Sequence, residues 1–140
     1  MPVDSFEEVL AFLYQQLPMF QRVGPAALKP SLKNTKDFCW ELGLPQWQFR
    51  SIHVAGTNGK GYVSSMLASI LQEAGYKTGL FTSPHLKSFT ERIRINGVEI
   101  SEDEVVEFVY LYRKAIDLIK PSFFELTTGM AFLQFASEEV

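Results

Sequence analysis

Three glycines and a lysine stand within six residues in the stretch from His53 to Leu67, HVAGTNGKGYVSSML: Gly56, Gly59, Lys60 and Gly61. A short β-branched run, RSIHVAG, leads into them. Lys60 to Ala74 leads out, with Val63, Met66, Leu67, Ile70, Leu71 and Ala74 on one helical face and Gly75 as the stop. At a strand-to-helix junction the first helical amides lack internal partners, and the helix dipole favours an anion beside them. The glycines let the backbone turn tightly and approach that anion, and Lys60 adds a full charge. A glycine turn with a solvated lysine would explain any one of these features. Strand, loop, lysine and amphipathic helix together predict a cradle for a nucleotide's phosphates. The loop departs from the Walker A pattern G-x-x-x-x-G-K-[ST], since Val54 occupies the first glycine position and Gly61 the Ser/Thr position. Its order, G-x-x-G-x-G, is also not the dinucleotide fingerprint G-x-G-x-x-G, which argues against a nicotinamide or flavin enzyme.

Other residues able to do chemistry lie further along. Ser83, Pro84 and His85 begin the loop SPHL, and Arg92 and Arg94 follow at its exit. By chemistry alone Ser83 is a turn residue before proline, or a weak ligand for magnesium, which prefers carboxylates. His85 reads as a loop histidine. Arginine suits carboxylate recognition, although an arginine on a strand is more often solvated. His53, on the apolar run, reads as structural. Phe124 and Glu125 open the last helix, where the dipole alone explains a glutamate.

The elements that must position these groups are legible in outline. A helix is expected from Asp4 to Leu17, with Ser5 and Glu8 at capping-box spacing. A long irregular connection follows through LPMFQRVGPAALKPSLKN. A second helix is expected from Ser31 to Leu42, closed by Gly43. RSIHVAG reads as a buried strand and KTGLFTS as the next one, so strand, helix and strand form a βαβ unit with parallel strands. Ile93 and Ile95, then Asn96-Gly97, then Val98 and Ile100 predict a hairpin with a type I′ turn. Ser101 and Glu104 open a helix through about Ile119, before Pro121, and a final helix spans about Glu125 to Ser137. The expected class is α/β, a P-loop-type three-layer domain of which residues 1–140 form the N-terminal part, because a doubly wound sheet usually has five or more strands.

The 140 residues suffice for one domain with a core, and apolar content of 46% with 21% charged residues excludes a disordered chain. A net charge of −3 gives no basic face, so nucleic acid is not an expected partner. One cysteine, Cys39, excludes an internal disulfide, and with two histidines makes no ordinary zinc site. No run approaches the ~20 apolar residues of a membrane span, and the start lacks the form of a signal peptide. The expected location is the cytoplasm.

GTNGKG (Gly56 to Gly61), followed by AGYKTGLFTSPHL (Ala74 to Leu86) and ERIRING (Glu91 to Gly97), resembles the folylpolyglutamate and dihydrofolate synthases, ATP-dependent amide-forming enzymes of the Mur-ligase-like group. The resemblance covers most of the chain, and it implies a ligase. ATP phosphorylates a carboxylate on dihydropteroate or a folate, and the amine of L-glutamate attacks the acyl phosphate. By the same resemblance Lys60 contacts phosphate in a catalytic role. Gly56, Thr57, Asn58, Gly59 and Gly61 complete the cradle, and Ser83 is a Mg2+ ligand. Ser83, Pro84, His85, Arg92, Phe124 and Glu125 lie on the folate side, and the full-length enzyme is a monomer. Tyr62 departs from the pattern, which has Ser or Thr there. Either the phenol weakens ATP binding, or it swings out and the backbone amides suffice. Family members continue into a glutamate that holds Mg2+, a histidine ligand, a modified lysine and a second domain, none of them in these residues, so no turnover is expected from residues 1–140 alone. Another Mur-like amide ligase and a non-catalytic nucleotide-binding module are the alternatives.

Overall fold

The computed structural model describes residues 5–16 and 31–140. The connection expected between the first two helices lies largely outside them, as do Asp4 and Leu17. Five α-helices are described: α1 (Phe6–Gln16), α2 (Lys33–Glu41), α3 (Lys60–Glu73), α4 (Glu102–Ile119) and α5 (Phe123–Ser137). Three short strands accompany them: β1 (Gly79–Phe81), β2 (Ile93–Ile95) and β3 (Val98–Glu99).

Local signals set most of the boundaries. Ser5 and Glu8 cap α1 reciprocally, Glu8 Oε2 accepting from Ser5 N at 2.7 Å and Ser5 Oγ from Glu8 N at 3.2 Å. Ser101 and Glu104 do the same for α4. Ser122 and Glu125 form a third box, which starts α5 two residues earlier than the sequence suggested. Each box satisfies two amides that a helix start leaves without partners. Gly43, at φ +80°, ends the α2 segment in the left-handed region that glycine adopts at little cost.

The core sits where α1, α2, α4 and α5 meet. Leu13, Phe38, Val105, Ile116 and Leu126 are fully enclosed there. In α5 Gly129 lets α2 come close, for a β-carbon at that position would lie 2.8 Å from the Phe38 ring and 2.9 Å from Leu42. Gly79 plays the same part between β1 and Phe135 of α5, where a β-carbon would lie 2.5 Å from the ring.

The sheet corrects the expected βαβ unit. Its order is β1-β2-β3 and both pairings are antiparallel, with Gly79 opposite Ile95 and Phe81 opposite Ile93, then Arg94 opposite Glu99 and Ile95 opposite Val98. The Asn96-Gly97 turn forms as expected, with φ of 48° and 79° at its two central residues. Thr78 donates its amide to Asn96 Oδ1 at 2.8 Å, which ties the turn to the start of β1. RSIHVAG forms no strand: among the described residues nothing pairs with it, and Ser51, Ile52 and His53 are exposed. A buried parallel strand needs ladder partners and a covered face; β1 pairs with the hairpin on one edge, and among the described residues its other edge carries no strand. His53, read as structural on a buried strand, is exposed and lies on no strand.

Helix α3 corrects the expectation in a second way. Its bounds are as read, but its apolar stripe is split. Leu67, Ala68 and Leu71 turn toward the molecule, while Val63, Met66 and Ile70 are 41%, 58% and 64% exposed. A three-stranded sheet is too narrow to cover a stripe this wide, and β1 is the chief element α3 packs on. No helix among the described residues is long and apolar enough to cross a membrane.

Candidate functional site

The glycine loop Gly56–Gly61 is built as its glycines require. Gly59 is the residue before α3, with φ +78° and ψ 1°, and no side chain caps the helix start. The amides of the first turn are thus left to an outside acceptor. Lys60 folds back over the loop, its Nζ donating to Gly56 O at 2.6 Å and to Thr57 O at 3.2 Å. That brings the ammonium onto the loop backbone at the end of the helix where the dipole is positive. Gly56, Thr57, Asn58, Gly59, Lys60 and Gly61 are all exposed. The Tyr62 ring is 81% exposed, so of the two readings of this residue the structure has the phenol swung out. Backbone amides, one ammonium and open access fit a polyphosphate.

The second loop leaves the end of β1. The strand it leaves, β1, packs against α3. The loop is held by a residue that the sequence reading passed over. Glu91 accepts from the amides of Leu86, Lys87 and Ser88 at 2.9, 2.7 and 2.7 Å. Those three bonds hold its carboxyl down to about 2. SFTE has the same S-x-x-E spacing as the other caps, and Ser88 and Glu91 do form a capping box over the 3-10 turn Phe89–Arg92.

Arg92 is not the solvated strand arginine that its sequence position suggested. It ends the 3-10 turn and is only 4% exposed, with its guanidinium 5.0 Å from the centre of the Phe123 ring. Its Nε donates to His85 Nδ1 at 2.7 Å, and His85 Nε2 lies 3.3 Å from the Tyr14 hydroxyl. Burial, and then the Arg92 charge, hold His85 below the usual imidazole range against the opposing pull of Glu91. Burial likewise pushes the Tyr14 phenol up, opposed by Arg92. Tyr14, on α1, is 71 residues from His85, and no sequence signal links them.

The remaining candidates separate. Arg94 pairs with Glu99 across the hairpin at 3.2 Å. Glu125 is occupied structurally, its Oε2 accepting from Ser122 N at 2.7 Å and its Oε1 from the Thr35 hydroxyl at 3.3 Å. Phe124 stacks on Phe81, with centroids 6.0 Å apart and planes at 28°, yet is 55% exposed and so presents apolar surface to solvent. Ser83 and Pro84 are exposed at the start of the loop and are joined by a cis peptide bond. Among the described residues no group of three His, Cys, Asp or Glu side chains comes together. Ser83 alone does not fit a Mg2+ site.

No family model matches the chain. Among curated proteins, it is 42% identical over 115 residues to the dihydrofolate synthase/folylpolyglutamate synthase of Bacillus subtilis, a match covering 78% of the chain and 27% of that protein. It is 34% identical to a folylpolyglutamate synthase of Arabidopsis thaliana, over 98% of the chain and 25% of that protein. Among solved structures, the folylpolyglutamate synthase of Thermotoga maritima superposes on 96% of the chain with a TM-score of 0.84 at 38% identity. Over the region it spans, the chain is similar in sequence and fold to the folylpolyglutamate/dihydrofolate synthases. It spans about a quarter of the length of the curated relatives named here, 27% and 25%, and 31% of the Thermotoga structure. The Mycobacterium tuberculosis folylpolyglutamate synthase complexed with ADP covers 96% of the chain at 35% identity, also with a TM-score of 0.84. Another solved relative, 29% identical, is a complex with AMPPCP and folate. The chain keeps the Mur-ligase-like fold of these structures over the region it spans.

Proposed function

We propose that the chain supplies the nucleotide loop and the folate-side loop of an ATP-dependent ligase that joins L-glutamate to dihydropteroate or a folate through an acyl phosphate. The observation that carries this reading is the Lys60 ammonium folded onto Gly56 O and Thr57 O beside an uncapped helix start. A triphosphate would take its oxygens to the α3 amides and to Lys60, whose charge would offset the negative charge spread over the transferred group. Mg2+ would come with the triphosphate, and Ser83 by itself makes no site for it. The exposed part of Phe124 suits a flat heteroaromatic ring. Glu125 would act indirectly, by fixing the start of α5 beneath Phe124. In this reading residues 1–140 form the N-terminal part of the ATP-binding domain, and the full-length enzyme works as a monomer. Its place is a reducing cytoplasm, which suits the single buried thiol of Cys39.

The test is calorimetric titration of the chain with ATP and Mg2+, beside Lys60→Ala. Loss of one charge-assisted hydrogen bond, at least about 1.5 kcal/mol, should weaken binding tenfold or more. Equal affinity in the two proteins would refute the loop assignment.

A further inference from the structure

The folate-side loop is fastened at two separate places. Glu91 takes the amides of Leu86, Lys87 and Ser88, which fixes its backbone. The side chain of His85 is fastened independently, between Arg92 on one ring nitrogen and Tyr14 on the other. The second fastening is unusual in what it uses. Arg92 is buried, and a buried guanidinium is ordinarily paired with a carboxylate. Among the described residues no carboxylate pairs with it, and its Nε goes to a neutral imidazole. An arginine always carries its proton, so His85 Nδ1 must be the acceptor. The ring proton then sits on Nε2, directed at the Tyr14 oxygen. A tyrosine oxygen can accept that proton while its own O–H remains a donor. Tyr14 is itself braced by stacking on Phe123, with centroids 5.6 Å apart and planes at 24°, and Phe123 is the ring under the Arg92 guanidinium. The chain of contacts thus runs from α1 through the loop to the start of α5, beside Phe124.

We propose that Tyr14 and Arg92 are positioning residues for the substrate-facing loop Ser83–Ser88, acting together through His85, which they hold in the Nε2-protonated form. Neither reaches the reacting atoms. Arg92 selects the tautomer, and Tyr14 receives the resulting N–H and so joins the loop to the N-terminal helix. That the loop faces a pterin-containing carboxylic acid rests on the function proposed above; the tautomer and the tie to α1 do not.

Two measurements on the 140-residue chain test this separately. Nitrogen-15 spectra of the His85 ring should show an unprotonated Nδ1 and a protonated Nε2. Arg92→Lys, which keeps a donor, should retain that pattern, and Arg92→Gln should convert it to a mixture of tautomers. A protonated Nδ1 in the wild type, or a pattern indifferent to Arg92→Gln in a chain that remains folded, would overturn the proposal. The second measurement is the affinity for folate and dihydropteroate in Tyr14→Phe, which keeps the ring on Phe123 and removes the hydroxyl. A three- to tenfold loss, the worth of one hydrogen bond, is expected. Unchanged affinity in a chain that binds would overturn the positioning role of Tyr14 and leave the functional reading standing. If the wild type binds neither ligand, the folate-side reading fails. The ring spectra then decide the proposal by themselves, with the expected pattern upholding the tautomer lock and any other overturning it.

Discussion

Replacing Gly129 by alanine sets two opposed effects against each other, and the structure decides between them. In an exposed helix interior the change would stabilise by about 1 kcal/mol, because glycine is the poorer helix former. Gly129 faces α2 instead. Its new β-carbon would lie 2.8 Å from the Phe38 ring and 2.9 Å from Leu42 Cδ1, well inside ordinary contact. Neither neighbour has room to retreat, since Phe38 is 0% and Leu42 5% exposed. Phe38 is also held edge-on to Phe108, at 6.2 Å and 81°. Overpacking of this kind costs about 1–3 kcal/mol, and the rigidity of both neighbours points to the upper half. The net expectation is a loss of about 1–2 kcal/mol. For a chain of this length that corresponds to a fall in Tm of roughly 3–10 °C. Thermal unfolding followed by far-UV circular dichroism measures it, and Phe38→Leu in the same chain should recover part of the loss through a non-additive cycle. If Gly129→Ala raises the Tm, the close approach of α2 to α5 is not a constraint and the packing argument is wrong.

Two further outcomes follow from the loops. Tyr62→Ala should leave ATP affinity within about twofold, because the ring stands in solvent and obstructs none of the α3 amides; a tenfold change by calorimetry would show that the phenol acts on the bound nucleotide. The Glu91 carboxyl lies at about 2 in the folded chain against 4.5 without its amide partners. Its contribution is therefore complete above about pH 4.5 and is lost as the pH falls toward 2. Urea unfolding of Glu91→Gln should show lower stability than the wild type at pH 7 and a shallower decline between pH 4.5 and 2. Parallel pH profiles for the two proteins would contradict this.

What could be read from the sequence was what neighbouring residues settle among themselves. Ser5 with Glu8, Ser101 with Glu104, and Asn96-Gly97 each fix a helix start or a turn within four residues, and each formed as read. Ser122 with Glu125 carries the same local signal, and it places the helix start two residues before the glutamate that the dipole alone accounts for. Glu125 is a helix cap that also accepts from Thr35. The turn at Gly59 and the helix start at Lys60 were legible for the same local reason, since glycine spacing defines them. The partner of β1 was not legible, because an apolar run does not say which strand it will pair with. β1 pairs antiparallel with the hairpin on one edge, and among the described residues RSIHVAG joins neither that sheet nor another. The Tyr14–His85–Arg92 contact joins positions 14, 85 and 92, and only the packed chain brings them together.

The half-covered helix α3 has a thermodynamic consequence for the loop it carries. A helix of 14 residues is near the lower limit of what holds together in water without tertiary support. Here Ala68 is its one buried residue. Opening of α3 should accordingly cost far less than global unfolding, and its amide hydrogens should exchange among the fastest in the helical part of the molecule. In the function proposed above, the first turn of that helix is also the half of the phosphate cradle that supplies amides. An anion therefore binds only the fraction of molecules in which α3 is wound, and its apparent dissociation constant exceeds the intrinsic one by the reciprocal of that fraction. Whatever packs against Val63, Met66 and Ile70 would raise the fraction without touching the ligand. It would act on nucleotide affinity from the far side of the helix, through the helix–coil equilibrium alone.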